Sequence, residues 1–241
     1  MSLVDGIFKM NGIYISISLV AWWVISVNNK GECMAQWLLF GAGGKGVGNM
    51  IAQLAITNQQ QVVAVVRNTE AAEKLSLQGV NVFVGDACDK AIVTAACQAA
   101  GTNATVISTM GGSQDYLANR TVIDCAEQEG ISRMVLVTSL GCGDSWQYLS
   151  LRARAAFGHA VREKSLAESW LQTSSLDFAI VRPGGLLHGD ATGKSILQQT
   201  VEAHGLVMRA DVAAQVYQLA SQTELKNQIY SLIQPNLTIS K

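Results

Sequence analysis

Glycine recurs at positions 41, 43 and 46 in the string Phe40-Gly-Ala-Gly-Gly-Lys-Gly-Val-Gly48, a spacing that satisfies G-x-G-x-x-G. An apolar run, Trp37–Phe40, precedes it, and a helix-like run, Asn49–Ile56, follows. Strand, glycine turn and helix in that order can hold a pyrophosphate. Gly41 allows the tight turn, Gly43 lets backbone approach the phosphates, and Gly46 lets helix and strand pack closely. The free N–H groups at the helix start then face the anion. Gly41, Gly43, Lys45, Gly46 and Val47 are therefore the first candidates for holding a dinucleotide. A glycine-rich turn without a ligand is the plain alternative.

The residue at the end of the second strand of such a unit meets the adenine ribose. A carboxylate there takes the 2′-hydroxyl, whereas an arginine suits a 2′-phosphate. Arg67 stands about twenty residues past the loop, with no acid nearby until Glu70. Its planar fork matches phosphate geometry, so the expected cofactor is NADP(H).

Elements must position these residues. Val62–Val66 is continuously apolar and β-branched, as in a strand buried on both faces. Further strands are expected at 80–84, 104–108, 134–137, 178–181 and 228–233, and helices at 69–77, 89–100, 116–129, 151–172 and 210–221. Gly79, Gly101 and Gly130 stop three of those helices. Strands alternating with helices imply an α/β fold: a single Rossmann domain with a doubly wound, mainly parallel sheet.

Composition fits this. The 241 residues suffice for one such domain, net charge is −1, and no basic stripe suggests nucleic acid. Five scattered cysteines without C-x-x-C spacing suggest buried thiols in a reducing, cytoplasmic setting rather than disulfides or a metal site. Residues 1–33 stand apart. Gly12–Val27 is a largely apolar stretch of 16 residues, short for a membrane span, and Met34 directly precedes the first strand. The expectation is an apolar extension over 1–33 and an NAD(P)-binding domain over 34–241. A signal or membrane segment, or a genuine extra element, are the alternatives.

Several ordered motifs resemble the atypical short-chain dehydrogenases/reductases, the NAD(P)H-binding, NmrA-like and flavin-reductase-like group. They are the glycine loop through Val66-Arg67-Asn68, Val84-Gly-Asp86, Val106-Ile-Ser-Thr-Met-Gly-Gly112, Val135-Leu-Val-Thr-Ser-Leu-Gly141, Glu163–Leu171, Asp177–Gly185 and Arg209–Ala213. The resemblance spans about residues 35–233, although the glycine loop is one residue longer than the group's usual form. It implies that Asp86 contacts the adenine and that Thr109, Met110 and Gly111 lie beneath the nicotinamide. It also implies that Ser139 is the active-site serine and that Lys164 holds the nicotinamide ribose. The competing role for Lys164 is a surface pair with Glu168 at i,i+4.

The wider superfamily uses a Tyr-x-x-x-Lys pair as its acid/base, but position 160 here is Ala160. His159 lies about 140° around the helix from Lys164 and is a weak replacement. Trp146 and Tyr148 follow the fifth strand, where they would line a pocket for a flat ligand or pack the loop. Arg152, Arg154 and Arg162 read as a solvated helix face. The expected function is an NADPH-dependent reductase of small flavin- or quinone-like acceptors, with Ser139 and Lys164 as catalytic candidates. A non-catalytic NADP(H)-sensing protein is the alternative. Neither membrane nor nucleic-acid partners are expected, and oligomeric state stays open.

Overall fold

The computed structural model describes residues 36–238, together with the backbone of a short antiparallel pair, Lys9–Met10 with Ile13–Tyr14. The chain divides into two units, 1–34 and 35–241. Apart from that pair, the expectations about residues 1–33 lie outside the described residues.

The second unit opens with β1 (Trp37–Phe40), α1 (Val47–Thr57), β2 (Val62–Val66), α2 (Thr69–Leu77), β3 (Asn81–Val84) and α3 (Lys90–Ala100). It continues through β4 (Thr105–Ser108), α4 (Asp115–Gln128), β5 (Arg133–Val137), a 3-10 segment (Gly143–Tyr148), α5 (Leu151–Gln172) and β6 (Asp177–Pro183). Then come β7 (Gly185–Leu187), β8 (Ile196–Gln198), β9 (Leu206–Met208), α6 (Arg209–Ala220) and β10 (Gln228–Ile233). The main sheet has eight strands in the order β3-β2-β1-β4-β5-β6-β10-β8. Every neighbouring pair is parallel except β8 with β10. The strand order reverses between β1 and β4, which leaves a crevice at their carboxyl ends.

The helices fall on both faces because right-handed crossovers carry the chain one way from β1 and the other way from β4. Alternate residues of each central strand serve opposite cores. Leu39, Val66, Ile107 and Val135 pack with α1, α2 and α6, whereas Phe40, Val65, Val106 and Met134 pack with α3, α4 and α5. Burial on both faces explains the continuous apolar runs. The expected strands and helices all form. The 3-10 segment and β7–β9 were not expected, because pieces of three to six residues carry no readable period. β7 and β9 pair in parallel as a small separate sheet beside β6. Gly184 makes this possible, since a Cβ there would stand 2.4 Å from the Gly205 carbonyl oxygen.

Candidate functional site

The glycine loop leads from β1 into α1. Gly41 has φ +94, which favours glycine, and its carbonyl lies against the start of the helix. The close approach of helix to strand falls on Gly48 rather than Gly46. A Cβ on Gly48 would stand 2.4 Å from Thr109 Oγ1 and 2.5 Å from the Gly41 oxygen, whereas nothing lies within 4 Å of the corresponding point on Gly46. The packing glycine thus falls two residues later than expected, and Gly46 becomes the N-cap of α1. That cap has no side-chain hydrogen bond and no acid follows in the first turn, so backbone N–H groups remain for an anion. Lys45 is exposed in the turn. The Val47 side chain is buried in the core, leaving it only a backbone role in any phosphate site.

A cleft of about 880 Å³ runs across the carboxyl ends of β1–β4. Gly41, Gly43, Arg67, Asp86, Thr109, Met110 and Gly111 all line it. Lys45, Gly46, Val47 and Lys164 do not. At the far end Arg67 is exposed and makes no ion pair among the described residues. Asn68 beside it caps α2, accepting from the Glu70 and Ala71 amides at 2.8 and 3.3 Å. Asp86 accepts the Cys88 amide at 2.8 Å. That bond holds its carboxyl below the ordinary range, and the charge of Arg67 adds to the effect.

At the other end the cleft is floored by the loop after β4. Lys164, reaching over from α5, donates to the Met110 carbonyl at 2.8 Å and to Asp115 Oδ2 at 2.7 Å. The surface pair with Glu168 does not form, because Lys164 faces α4 across the helix interface and is only 16% exposed. Asn119 donates to Asp115 at 2.7 Å and accepts from Ser108 Oγ at 2.7 Å. Burial pushes the Asp115 carboxyl up, against the pull of Lys164 and Asn119. An ammonium has three protons. Two are engaged here, one of them by the Met110 carbonyl on the floor of the cleft.

Glu168 takes a different partner. Arg182 on β6 grips it through Nε at 3.0 Å and Nη2 at 2.6 Å, and Thr138 Oγ1 donates to it at 2.6 Å. Arg182 also reaches Asp144 at 2.6 Å. The cluster ties β5, β6, α5 and the 3-10 segment together just beneath Ser139.

A second pocket, about 470 Å³, opens beside that cluster. Ser139 and Tyr148 both line it. The Ser139 hydroxyl donates to the Leu140 carbonyl at 3.0 Å, as a strand-end hydroxyl satisfying backbone would. Trp146 does not reach the pocket. It packs against Gly158, with the guanidinium groups of Arg154 and Arg162 at 5.2 and 5.5 Å from its ring. Arg154 also donates to the carbonyls of Trp146 and Gln147 at 3.1 and 2.9 Å. Of the three arginines expected on a solvated face, Arg154 is therefore half-buried and staples the 3-10 segment to α5, while Arg152 and Arg162 are exposed. His159 and Ala160 are exposed on α5 and line neither pocket. The reading missed Phe157, Leu186, His204 and Arg209, which line the second pocket from three distant segments. The doubled glycine after Pro183 was the available signal, since it lets the β7–β9 backbone fold back.

The two cavities meet in the fold's logic. The first ends on the loop after β4, and the second begins at the end of β5, its neighbour about 4.8 Å away in the sheet.

An NAD(P)H-binding family model matches residues 41–223. Among solved structures, an anaerobillin reductase from Escherichia coli O157:H7, ChuY, is 65% identical over 85% of this chain and all of that chain, with a TM-score of 0.84. Quinone oxidoreductase 2 of Escherichia coli K12 is 30% identical over 179 residues, 71% of this chain and 59% of that protein. Sanguinarine reductase of Eschscholzia californica is 28% identical over 123 residues, 49% of this chain and 44% of that protein. The chain thus spans about half the length of these two curated relatives.

Proposed function

The chain belongs to the NAD(P)H-binding family, in the atypical short-chain dehydrogenase/reductase group, and from that premise we propose that it is an NADPH-dependent reductase of flat, conjugated acceptors. The observation that carries this reading is the adjacency of a long polar cleft and a largely apolar pocket at the ends of β4 and β5. Relatives named for reducing an anaerobillin, a quinone and sanguinarine support it.

The α1 amides and the glycine loop hold the pyrophosphate, Arg67 the 2′-phosphate and Asp86 the adenine side. Thr109, Met110 and Gly111 support the nicotinamide, and Lys164 fixes that loop and the ribose. The group held there would supply hydride chemistry, and the second hydrogen of the reduction would arrive as a proton from water. The Ser139 hydroxyl, now bonded to the Leu140 carbonyl at the pocket's edge, would turn to the acceptor when it is bound. Hydride transfer to a conjugated molecule depends more on orientation and exclusion of water than on a strong acid, so Ala160 in place of a tyrosine is tolerable. Free, buried Cys97, Cys125 and Cys142 fit a reducing cytoplasm, and no helix among the described residues is long and apolar enough to cross a membrane.

The test is NADPH oxidation against quinones, flavins and tetrapyrroles, beside cofactor titration. Lys164→Ala should weaken cofactor binding or turnover roughly tenfold, the equivalent of one ordinary hydrogen bond. Ser139→Ala should lower turnover while NADPH affinity holds. Tight NADPH binding with no acceptor reduced would replace this reading with that of an NADP(H) sensor.

A further inference from the structure

The second pocket is apolar over most of its wall, with Leu140, Leu149, Phe157, Pro183, Leu186 and Val201 among its lining. No carboxylate lines it. Two basic side chains do, His204 and Arg209. His204 is exposed and lies 3.4 Å from Glu202 outside the pocket. Arg209 is different. It is half-buried, and among the described residues its side chain makes one hydrogen bond, from Nη1 to the Leu186 carbonyl at 3.3 Å. It makes no ion pair among the described residues.

A guanidinium carries five N–H donors, and withdrawing it from water without an anion is costly. Among the other half-buried or buried cations of the described residues, Lys164 has Asp115 and Arg182 has Glu168 and Asp144, while Arg133 and Arg154 each bond two or more backbone carbonyls. Arg209 has an apolar pocket instead. It also opens α6, whose N-terminus has no side-chain cap, and Asp211 in the same first turn offsets part of the helix dipole but is engaged by the Thr192 and Gly193 amides rather than by Arg209. The cofactor does not account for this cation, because the 880 Å³ cleft that suits its phosphates is lined by other residues entirely. Arg209 is also fixed in place. Asp211, two residues on, accepts the Thr192 and Gly193 amides at 3.0 and 2.8 Å and locks the start of α6 to the preceding loop.

We infer that Arg209 is a specificity-determining residue that binds a carboxylate on the acceptor, so that the pocket selects acidic conjugated molecules over neutral ones. The inference rests on the reading of this pocket as the acceptor site. An apolar slot takes the conjugated body, and the planar fork takes the carboxylate in bidentate fashion at one end.

The experiment compares biliverdin, a tetrapyrrole with two carboxylates, with its dimethyl ester, using the full chain. The wild type should prefer the diacid in kcat/KM by about tenfold or more, the scale of one charge-assisted hydrogen bond. Arg209→Gln should lose most of that preference, and Arg209→Lys should restore part of it. NADPH titration and thermal melting establish that the variants are folded. No preference in the wild type, or an equal loss on both probes in Arg209→Gln, overturns the inference. If the wild type binds NADPH but reduces neither probe nor any quinone or flavin, the reductase reading fails. Fluorescence titration of the two probes then decides the Arg209 question separately: diacid preference that depends on Arg209 supports it, and equal affinities refute it.

Discussion

Removing the Arg67 side chain isolates the 2′-phosphate contact. Arg67 is exposed and makes no ion pair among the described residues, so Arg67→Ala leaves no orphaned protein charge behind and should not disturb the fold. A hydrogen bond to a charged group contributes about 1.5–3 kcal/mol, or roughly 10- to 100-fold in Kd. Two features of the structure place the effect toward the lower part of that range. Exposure lets salt screen the contact within about 8 Å at physiological ionic strength. The Asp86 carboxyl is also held below its ordinary range, chiefly by the Cys88 amide and in small part by Arg67, so a bound phosphate shares the guanidinium's field with a carboxylate. We expect NADPH to bind about 10- to 30-fold more weakly to Arg67→Ala, and NADH to be nearly unaffected. The wild-type preference for NADPH should shrink as salt is raised. The assay is titration of both cofactors into both proteins at low and high salt. Equal wild-type affinities would refute the reasoning, as would an equal loss for both cofactors in the variant.

Glu168→Ala strips the buried Arg182 of its bidentate partner and leaves Asp144, which is 59% exposed. Breaking a buried pair costs about 3–5 kcal/mol, and the surviving Asp144 contact argues for about 3, a Tm drop of roughly 6–12 °C. Urea unfolding that shows a loss under about 1 kcal/mol would contradict the described geometry. Cys88 lines the cofactor cleft, so NADPH should protect it from iodoacetamide; peptide mapping reads this, and unprotected Cys88 would count against the placement of the adenine end. Cys97 and Cys142, whose thiols burial pushes up to about 12, should stay unmodified at mildly alkaline pH with or without cofactor. A chain beginning at Met34 should fold cooperatively and bind NADPH as the full chain does; insolubility or lost binding would give residues 1–33 a structural role.

Local chemistry carried much of this protein into view before any coordinates. β-branched runs such as Val62–Val66 read as strands because burial on both faces removes every polar residue, and Gly79, Gly101 and Gly130 end helices at positive φ, which glycine alone adopts freely. Arg67 was legible for the same reason: its place is set by counting from a glycine loop along one strand–helix–strand unit. Tertiary structure decided the rest, because it depends on which distant segments pack together. Whether Lys164 meets Glu168 on its own helix or Asp115 across an interface is invisible to i,i+4 spacing; the helix rotates Lys164 toward α4 because Ala167 and Leu171 must face the core. Glu168 is thereby turned inward to Arg182. The glycine that packs helix on strand is 48 rather than 46 because the turn, not the G-x-G-x-x-G count, decides where the helix begins. The second pocket is the extreme case. Its wall joins residues near 140–157, 183–186 and 201–209, and no periodicity in irregular segments records that a helix start, a strand end and a 3-10 turn will enclose one space.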